Sequence, residues 1–349
     1  MFSRKDEKFM ELAISLAEKG STSPNPRVGA VFVKNGKVIG KGFHKRAGAP
    51  HAEVEALRGL KKNQVKDGIL YVNLEPCCHK KKRTPPCTNF LLKKGVVNIV
   101  YSHNDPNIHV NGSGASFLRN NGVKIRSGCL EKEAKKLNEV YIWNNKEKLP
   151  YIALKAAVSL DFKMALKGGV KKWLTGKKAK IYVHKFRSTY DAVLTSSRTV
   201  LIDDPLLNTR LVSGKSPLRI IIDRNLKTGP ENKVYFDNNA VIATCRKEGN
   251  KLKSFRKKGI KIIIMKRGFK LRTLMKRLYK MGIMSVLIEA GPKLSSVFIK
   301  ERLINKYYMF YAPLFLGKEG IGLFLQSENL KIDRIERLDS DIFIEAYPS

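Results

Sequence analysis

The chain has 349 residues, 43% hydrophobic and 28% charged, a globular composition that excludes a collagenous, largely disordered or disulfide-built chain. At roughly 100–200 residues per domain, two domains are expected. The formal net charge of +38 raises nucleic acid as a partner, but the excess is spread evenly: residues 1–150 hold 28 Lys+Arg against 13 Asp+Glu, residues 151–349 hold 40 against 17, and there is no basic tail.

Lysine outnumbers arginine 48 to 20, which reads as codon drift in an AT-rich genome rather than a selected polyanion surface. The N-terminal MFSRKDEKFMELAISLAEKG has the spacing of an amphipathic helix, and its acids interrupt the apolar core a signal peptide needs. No run approaches the roughly 18–20 apolar residues of a membrane span, so a cytoplasmic location with no membrane partner is expected. After the loop STSPNPRVG, Val28–Lys34 and Lys37–His44 flank Asn35-Gly36; this pair between apolar runs predicts a hairpin, because a type I′ turn needs positive φ twice. A helix is expected after Pro50, with Val54, Leu57 and Leu60 on one face. Ile69–Leu74 is a buried strand stopped by Pro76. Phe90–Lys94, Gly114–Asn120 and Lys132–Tyr141 read as helices, and Val96–Ser102 and Val123–Ile125 as strands. The polar stretch Asn144–Pro150 is the expected linker, dividing a domain over residues 1–145 from one over 151–349. Beyond it, strands are expected at Tyr151–Val158, Ala192–Ser196, Leu218–Asp223, Ala240–Thr244, Ile260–Met265, Ser285–Glu289, Tyr307–Leu314 and Ile342–Ala346, with helices near 176–188, 271–281 and 294–303. Alternating strands and helices predict α/β architecture in both halves.

Three of the five cysteines, Cys77, Cys78 and Cys87, fall within eleven residues; in a cytosolic chain that clustering suggests metal or catalysis more than disulfides. His51-Ala52-Glu53 opens a helix, and Pro76-Cys77 and then Cys87 follow a strand. One imidazole and two thiolates suit tetrahedral zinc with a fourth position left for water. Glu53 is placed to take a proton from that water and pass it to a ring nitrogen and a leaving amine. The order matches the H-x-E…P-C signature of zinc nucleobase deaminases. It departs in spacing, since nine residues separate Cys77 from Cys87, and Cys78 or His79 are alternative ligands.

GFHKRAGAPHAEVEAL, LEPCCHKKKRTPPC and DPNIHVNGSG, followed by LKAAVSLDFKMA, KKWLTG, DAVLTSSRTVLIDDPLLNTR, PLRIIID and IEAGPKL, resemble the bifunctional riboflavin-biosynthesis deaminase–reductase family over essentially the whole chain. The resemblance implies a cytidine-deaminase-like α/β/α domain followed by a dihydrofolate-reductase-like α/β domain. The first would deaminate 2,5-diamino-6-ribosylamino-pyrimidinone 5′-phosphate; the second would reduce the ribosyl group to ribityl with NADPH. By motif, His51, Cys77 and Cys87 are the zinc ligands and Glu53 the proton shuttle. Asn25, His44, His79, Asp105 and Asn107 match substrate-pocket positions, with the basic run Lys80–Arg83 near the phosphate. Ala157, Trp173, Thr199, Asp203 and the stretch from Gly291 match NADPH contacts. Lys171, Arg187, Leu207, Arg210 and Glu289 match substrate contacts, although Lys171 stands where a small hydroxyl residue is common.

The residues of the second half add to this reading. Ser285–Glu289 followed by Ala290-Gly291-Pro292 is a strand–glycine–helix unit whose helix start can bind phosphate, and there is no GxGxxG fingerprint. Lys155, Asp203 and Glu289 are expected nearest the reacting carbon, and Arg224, after its strand, is either solvated or a 2′-phosphate contact. A homo-oligomer with a small-molecule substrate and no nucleic-acid partner is expected. The rival readings are a zinc-dependent nucleic-acid deaminase with a basic binding domain and a zinc-stabilised binding module; Glu53 has no purpose in the latter.

Overall fold

The computed structural model describes residues 1–78, 85–108, 110–166, 174–323 and 327–349. The chain divides into two compact units, Met1–Lys148 and Leu149–Ser349, both α/β.

In the first unit, α1 (Arg4–Glu18) precedes the hairpin of β1 (Gly29–Lys34) and β2 (Lys37–Phe43). Asn35 and Gly36 take φ of 51° and 71°, the two positive values the turn requires. Next come α2 (Ala52–Ala56), α3 (Lys62–Val65), β3 (Ile69–Leu74), α4 (Cys87–Lys94), β4 (Asn98–His103), α5 (Ser113–Asn120), β5 (Lys124–Ser127), α6 (Glu131–Leu137) and α7 (Glu139–Glu147). The sheet order is β2-β1-β3-β4-β5, antiparallel at β2-β1-β3 and parallel from β3 to β5. Alternation along β1 sends Ala30 and Phe32 to the core shared with α2, α4 and α5, and Val31 and Val33 to the core shared with α1. Burial on both faces is why these strands read as unbroken apolar runs. A Cβ on Gly42 would lie 2.4 Å from Ala52 O, so glycine there lets α2 lie directly on β2.

Two readings of this half are corrected. The helix after Pro50 ends at Ala56 rather than reaching Leu60, and a separate turn of helix, α3, follows; Leu57 is nevertheless buried and Leu60 packs on the core. The stretch expected to be a linker is largely helical. The α7 helix continues to Glu147 with Asn144 buried, so only residues 148–150 separate it from the next strand. Polarity was the wrong signal there, because a helix end that is mostly half-buried tolerates polar residues.

In the second unit the chain runs β6 (Tyr151–Ser159), β7 (Lys163–Leu166), α8 (Lys177–Thr189), β8 (Ala192–Ser196), α9 (Ser197–Asp203), β9 (Leu218–Ile222), β10 (Ala240–Thr244), α10 (Asn250–Lys257), β11 (Lys261–Ile264), α11 (Leu271–Lys280), β12 (Ser285–Ile288), α12 (Pro292–Lys300), β13 (Lys306–Ala312), β14 (Gly320–Gly322), β15 (Leu330–Leu338) and β16 (Asp341–Pro348). The large sheet has the order β11-β10-β9-β8-β12-β6-β13-β16-β15. It is parallel from β11 to β13, and β16 and β15 close it antiparallel. All eight expected strands are present; β7, β14, β15, α9 and α10 were not anticipated. β15 alternates charged and apolar residues and is exposed along most of its length, so it lacks the apolar signature of a core strand. The chain leaves β6, passes β12's place to reach β8, and winds outward to β11 before β12 returns between β8 and β6. That reversal is the switch point where open α/β sheets bind ligands at their carboxyl ends.

One polar knot ties α1 to the first sheet. The carboxylate of Asp6 caps its own helix through Ser3, accepts from Tyr71 Oη at 2.7 Å, and receives both terminal nitrogens of Arg126 at 3.0 and 2.7 Å. Arg126 first, with help from Tyr71 and Ser3, holds the Asp6 carboxyl well below the usual carboxylate range against the opposing effect of burial. A depressed carboxyl contributes stability above its ordinary pKa and loses it as pH falls through the folded value. Asp6→Asn is therefore expected to cost roughly 1–3 kcal/mol at neutral pH, read by native-state hydrogen exchange at α1 amides. The gap from wild type should begin to narrow as the pH drops below about 4 and close only as it falls through the depressed folded value; a gap independent of pH would contradict this account.

Candidate functional site

His51 is the N-cap of α2, with extended backbone at φ −75° and ψ 161°. Pro76 carries the chain off β3 into Cys77, and Cys87 opens α4 after Pro86. The ligand atoms of His51, Cys77 and Cys87 all lie within 4.8 Å of one another. His51 Nδ1 is 3.1 Å from Cys87 Sγ and 3.5 Å from Cys77 Sγ. Among the described residues this is the group that can hold a metal ion; Cys78 is half-buried and outside it, while His79 and Lys80–Arg83 lie outside the described residues.

The donor set fits zinc. Contact with Cys77, then burial, then the charge of Glu53 push the Cys87 thiol well up; a cation is what turns such a pair into thiolates. Glu53 is only 3% exposed, and its Oε2 is buried with no hydrogen-bond partner in the protein. Burial raises its carboxyl, against the opposing charge of His51. A native carboxylate oxygen left unsatisfied beside a metal-ligating set points to a group outside the protein.

Asn25 and His44 form one unit beside this centre. Pro50 O can only accept, so His44 Nδ1–H donates to it at 3.0 Å, and His44 Nε2 accepts from Asn25 Nδ2 at 3.1 Å. Burial lowers the His44 pKa, which keeps the ring neutral. It stands edge-on to His51 with centroids 5.4 Å apart. The PNPRVG loop is clamped from behind: Asn73 Nδ2 and Asn138 Nδ2 both donate to Arg27 O at 3.0 Å, and Arg27 N donates to Asn138 Oδ1 at 2.8 Å. Asp105 and Asn107 follow β4. Asp105 Oδ1 accepts from Asn107 N and from Tyr141 Oη, each at 2.9 Å. Glu75 accepts from the backbone N–H of Asp105, Gly112 and Ala115. Glu75, Asn73, Asn138 and Tyr141 were missed from sequence. Glu75 carried a signal, a carboxylate between an apolar strand and the Pro-Cys pair.

In the second unit Glu289 follows β12 and faces two cations. Arg187 donates to it through Nε at 2.6 Å and Nη2 at 2.9 Å, and Lys155 Nζ of β6 is 3.9 Å away. Burial pushes Glu289 up, but Arg187 and Lys155 outweigh it and hold the carboxyl below its ordinary range. Burial lowers Lys155, with Glu289 opposing. Arg187 Nη1 also donates to Asn208 O at 3.2 Å, just after buried Leu207. Arg210 N donates to His184 Nδ1 at 3.1 Å. His184, three residues before Arg187 on α8, was also missed; burial, Arg187 and Arg210 lower it to about 4.

The remaining positions are less tightly gathered. Thr199 N donates to Ser196 Oγ at 3.3 Å in the first turn of α9, and Asp203 ends that helix with an exposed side chain. Ala157 is half-buried on β6 opposite Phe310. Gly291 caps α12, and a Cβ there would meet nothing within 4 Å, so packing within the chain does not demand the glycine. Arg224 is exposed at the end of β9, its guanidinium 5.2 Å from the Phe269 ring centre. Lys171 and Trp173 lie outside the described residues.

Residues 3–103 match the family model for the cytidine and deoxycytidylate deaminase zinc-binding region, and residues 150–344 that for the RibD C-terminal domain. The chain is 40% identical over 350 residues to riboflavin biosynthesis protein RibD of Aquifex aeolicus, with 97% of each covered. It is 35% identical over 333 residues to that of Escherichia coli, covering 91% of this chain and 90% of the relative. The solved structure of Acinetobacter baumannii RibD matches with a TM-score of 0.90 at 35% identity over 99% of both chains. The Thermotoga maritima diaminohydroxyphosphoribosylaminopyrimidine deaminase/5-amino-6-(5-phosphoribosylamino)uracil reductase matches with a TM-score of 0.89 at 34% identity, again over 99% of both.

The cluster predicts a single zinc per chain. Cys87→Ser and Cys77→Ser should each lose metal and deamination together, read by elemental analysis of the purified protein and by ammonia release. Full zinc retention in both variants would move the ligands elsewhere.

Proposed function

The chain belongs to the bifunctional riboflavin-biosynthesis deaminase–reductase family, and from that premise we propose how its residues divide the two reactions. Deamination of the 2,5-diamino-6-ribosylamino-pyrimidinone 5′-phosphate falls within residues 1–145, and reduction of the ribosyl side chain of the product within residues 151–349. The observation that carries the first assignment is the orphaned Glu53 oxygen beside His51, Cys77 and Cys87.

Bound to these three ligands, zinc supplies Lewis-acid polarisation and a water of lowered pKa. Glu53 Oε2 is placed to take up one proton and hand it to the ring nitrogen, and to carry a second proton to the departing amine. The neutral His44–Asn25 pair and the Asp105–Asn107 turn orient the pyrimidine by hydrogen bonds.

In the reductase, bound NADPH supplies the hydride. Lys155 is the cation placed to hold a proton at Nζ near the reacting carbon, with Glu289 fixing its position. The Arg187 fork is filled by Glu289, so Arg210 is the arginine more open to the substrate phosphate. Thr199, Asp203 and the start of α12 at Gly291 are assigned to the dinucleotide, and Arg224, braced on Phe269, to its 2′-phosphate. No described helix is long and apolar enough to cross a membrane, and a cytoplasmic setting suits cysteines such as Cys77 and Cys87 that form no disulfide.

A homo-oligomer is also proposed. β15 is the outer strand of the large sheet, and an irregularity between Ile332 and Arg334 puts Ile332 and Ile335 opposite Ala346 and Ile344, on one face. They are 54% and 62% exposed. A long edge carrying apolar residues is what chains without a partner avoid. Ile335→Lys should leave the fold intact and shift the sedimentation of the protein toward the monomer.

The two activities should separate by mutation. Glu53→Gln should keep zinc and lose roughly 10²–10⁴-fold in deamination, with NADPH oxidation on the already deaminated substrate unchanged; Lys155→Met should do the reverse. Deamination at the wild-type rate in Glu53→Gln would remove the shuttle role. NADPH should be preferred to NADH, and Arg224→Ala should narrow that preference; equal kcat/KM for both cofactors in the wild type would refute the 2′-phosphate assignment.

A further inference from the structure

Glu75 is a buried carboxylate, 3% exposed, that no step above uses. It stands between the last residue of β3 and the Pro76-Cys77 pair. Its own N–H donates to His103 O at 3.1 Å, extending the β3–β4 ladder by one bond. Its side chain accepts three backbone N–H groups. Oε2 takes Gly112 N at 2.8 Å and Asp105 N at 3.2 Å, and Oε1 takes Ala115 N at 2.9 Å. Two of these donors belong to the start of α5. Gly112, the N-cap of that helix, has no side chain to cap it, and Glu75 does so from another strand, with a charge suited to a helix N-terminus. The close fit is visible at Gly114, where a Cβ would lie 2.1 Å from Pro76 O and 3.2 Å from Glu75 Oε1.

We propose that Glu75 is a positioning residue for deamination: it holds the loop bearing Asp105 and Asn107 in fixed register with Cys77, two residues away along its own chain. The proposal rests on the reading of Asp105 and Asn107 as substrate contacts. Asp105 is gripped at both ends, its N–H by Glu75 and its carboxylate by Tyr141 Oη and Asn107 N. Backbone donors cannot rotate away as side chains do, so a carboxylate among three of them sets position with little freedom. The same residue therefore links a metal-ligand segment to a substrate-binding turn.

A residue that only supports the fold lowers the fraction of competent protein, which lowers apparent kcat and leaves KM alone; a positioning residue changes KM per competent site. Glu75→Gln keeps the shape but turns an NH₂ toward a backbone donor. Normalised to zinc content, it is expected to raise KM for the diaminopyrimidine phosphate roughly ten- to a hundredfold, with kcat within about threefold and the reductase unchanged. Glu75→Asp, which keeps the charge on a shorter arm, should fall between the two. The effect on KM should be non-additive with that of Asn107→Ala, since both act at one turn. Wild-type KM in Glu75→Gln while Asn107→Ala raises it, or strict additivity of the two, overturns the positioning role alone. Wild-type KM in Asn107→Ala overturns the pocket reading and the proposal together. Failure of both Glu75 variants to fold makes the residue a folding determinant and overturns the proposal as well.

Discussion

Burial disfavours charge, and the interior of the first unit gathers one imidazole, two thiols and a carboxyl at His51, Cys77, Cys87 and Glu53. Without a cation, burial and the neighbours oppose charge there: Cys87 is pushed up by contact with Cys77, by burial and by Glu53, and Glu53 is pushed up by burial. Much of the local architecture serves to bring these four side chains together despite that cost. Glycine on β2 lets α2 lie against the sheet, which sets His51 and Glu53 at its start. Pro76 ends β3 where Cys77 must turn, and α4 begins on Cys87 itself. The Asn73 and Asn138 amides spend their hydrogen bonds on the backbone of Arg27, fixing the loop that carries Asn25 toward His44.

The second unit solves its burial problem in the opposite way. Glu289 is largely enclosed, though less than Glu53, and Arg187 and Lys155 outweigh burial and hold its carboxyl below its ordinary range. A carboxylate between two cations leaves one positive charge over, which suits an anionic ligand. His184, lowered to about 4, adds no further charge near neutral pH; it spends Nδ1 on the backbone of Arg210.

Features set by local chemistry were legible in the sequence. Asn35-Gly36 has few backbone solutions, and strands buried on both faces announce themselves as apolar runs. His51, Cys77 and Cys87 were readable because metal chemistry restricts both residue type and order. What stayed hidden depends on contacts between distant segments. Glu75, Asn73 and Asn138 look like surface residues until the backbone groups they satisfy, from 30 to 111 positions away, are known. β15 hid for a different reason: as an exposed edge it has no core face to imprint a period. The polar stretch before Pro150 was misread because the end of α7, around buried Asn144, is mostly half-buried and built from polar residues.

Both units end a strand of the parallel part of the sheet on a glutamate: β3 runs into buried Glu75 and β12 into half-buried Glu289. The carboxyl end of such a strand is where loops diverge and ligands enter, so a negative charge there organises whatever comes next. The partners differ, and with them the consequence. Glu75 is held by three backbone N–H groups, whose positions are fixed by the chain path, so its turn is permanent whether or not substrate is present. Glu289 is held by a guanidinium fork and an ammonium. A guanidinium matches a carboxylate in two-pronged geometry, so the Arg187 fork is already closed on Glu289. The turn after β4 is therefore held by the path of the backbone, and the cluster after β12 by charged side chains.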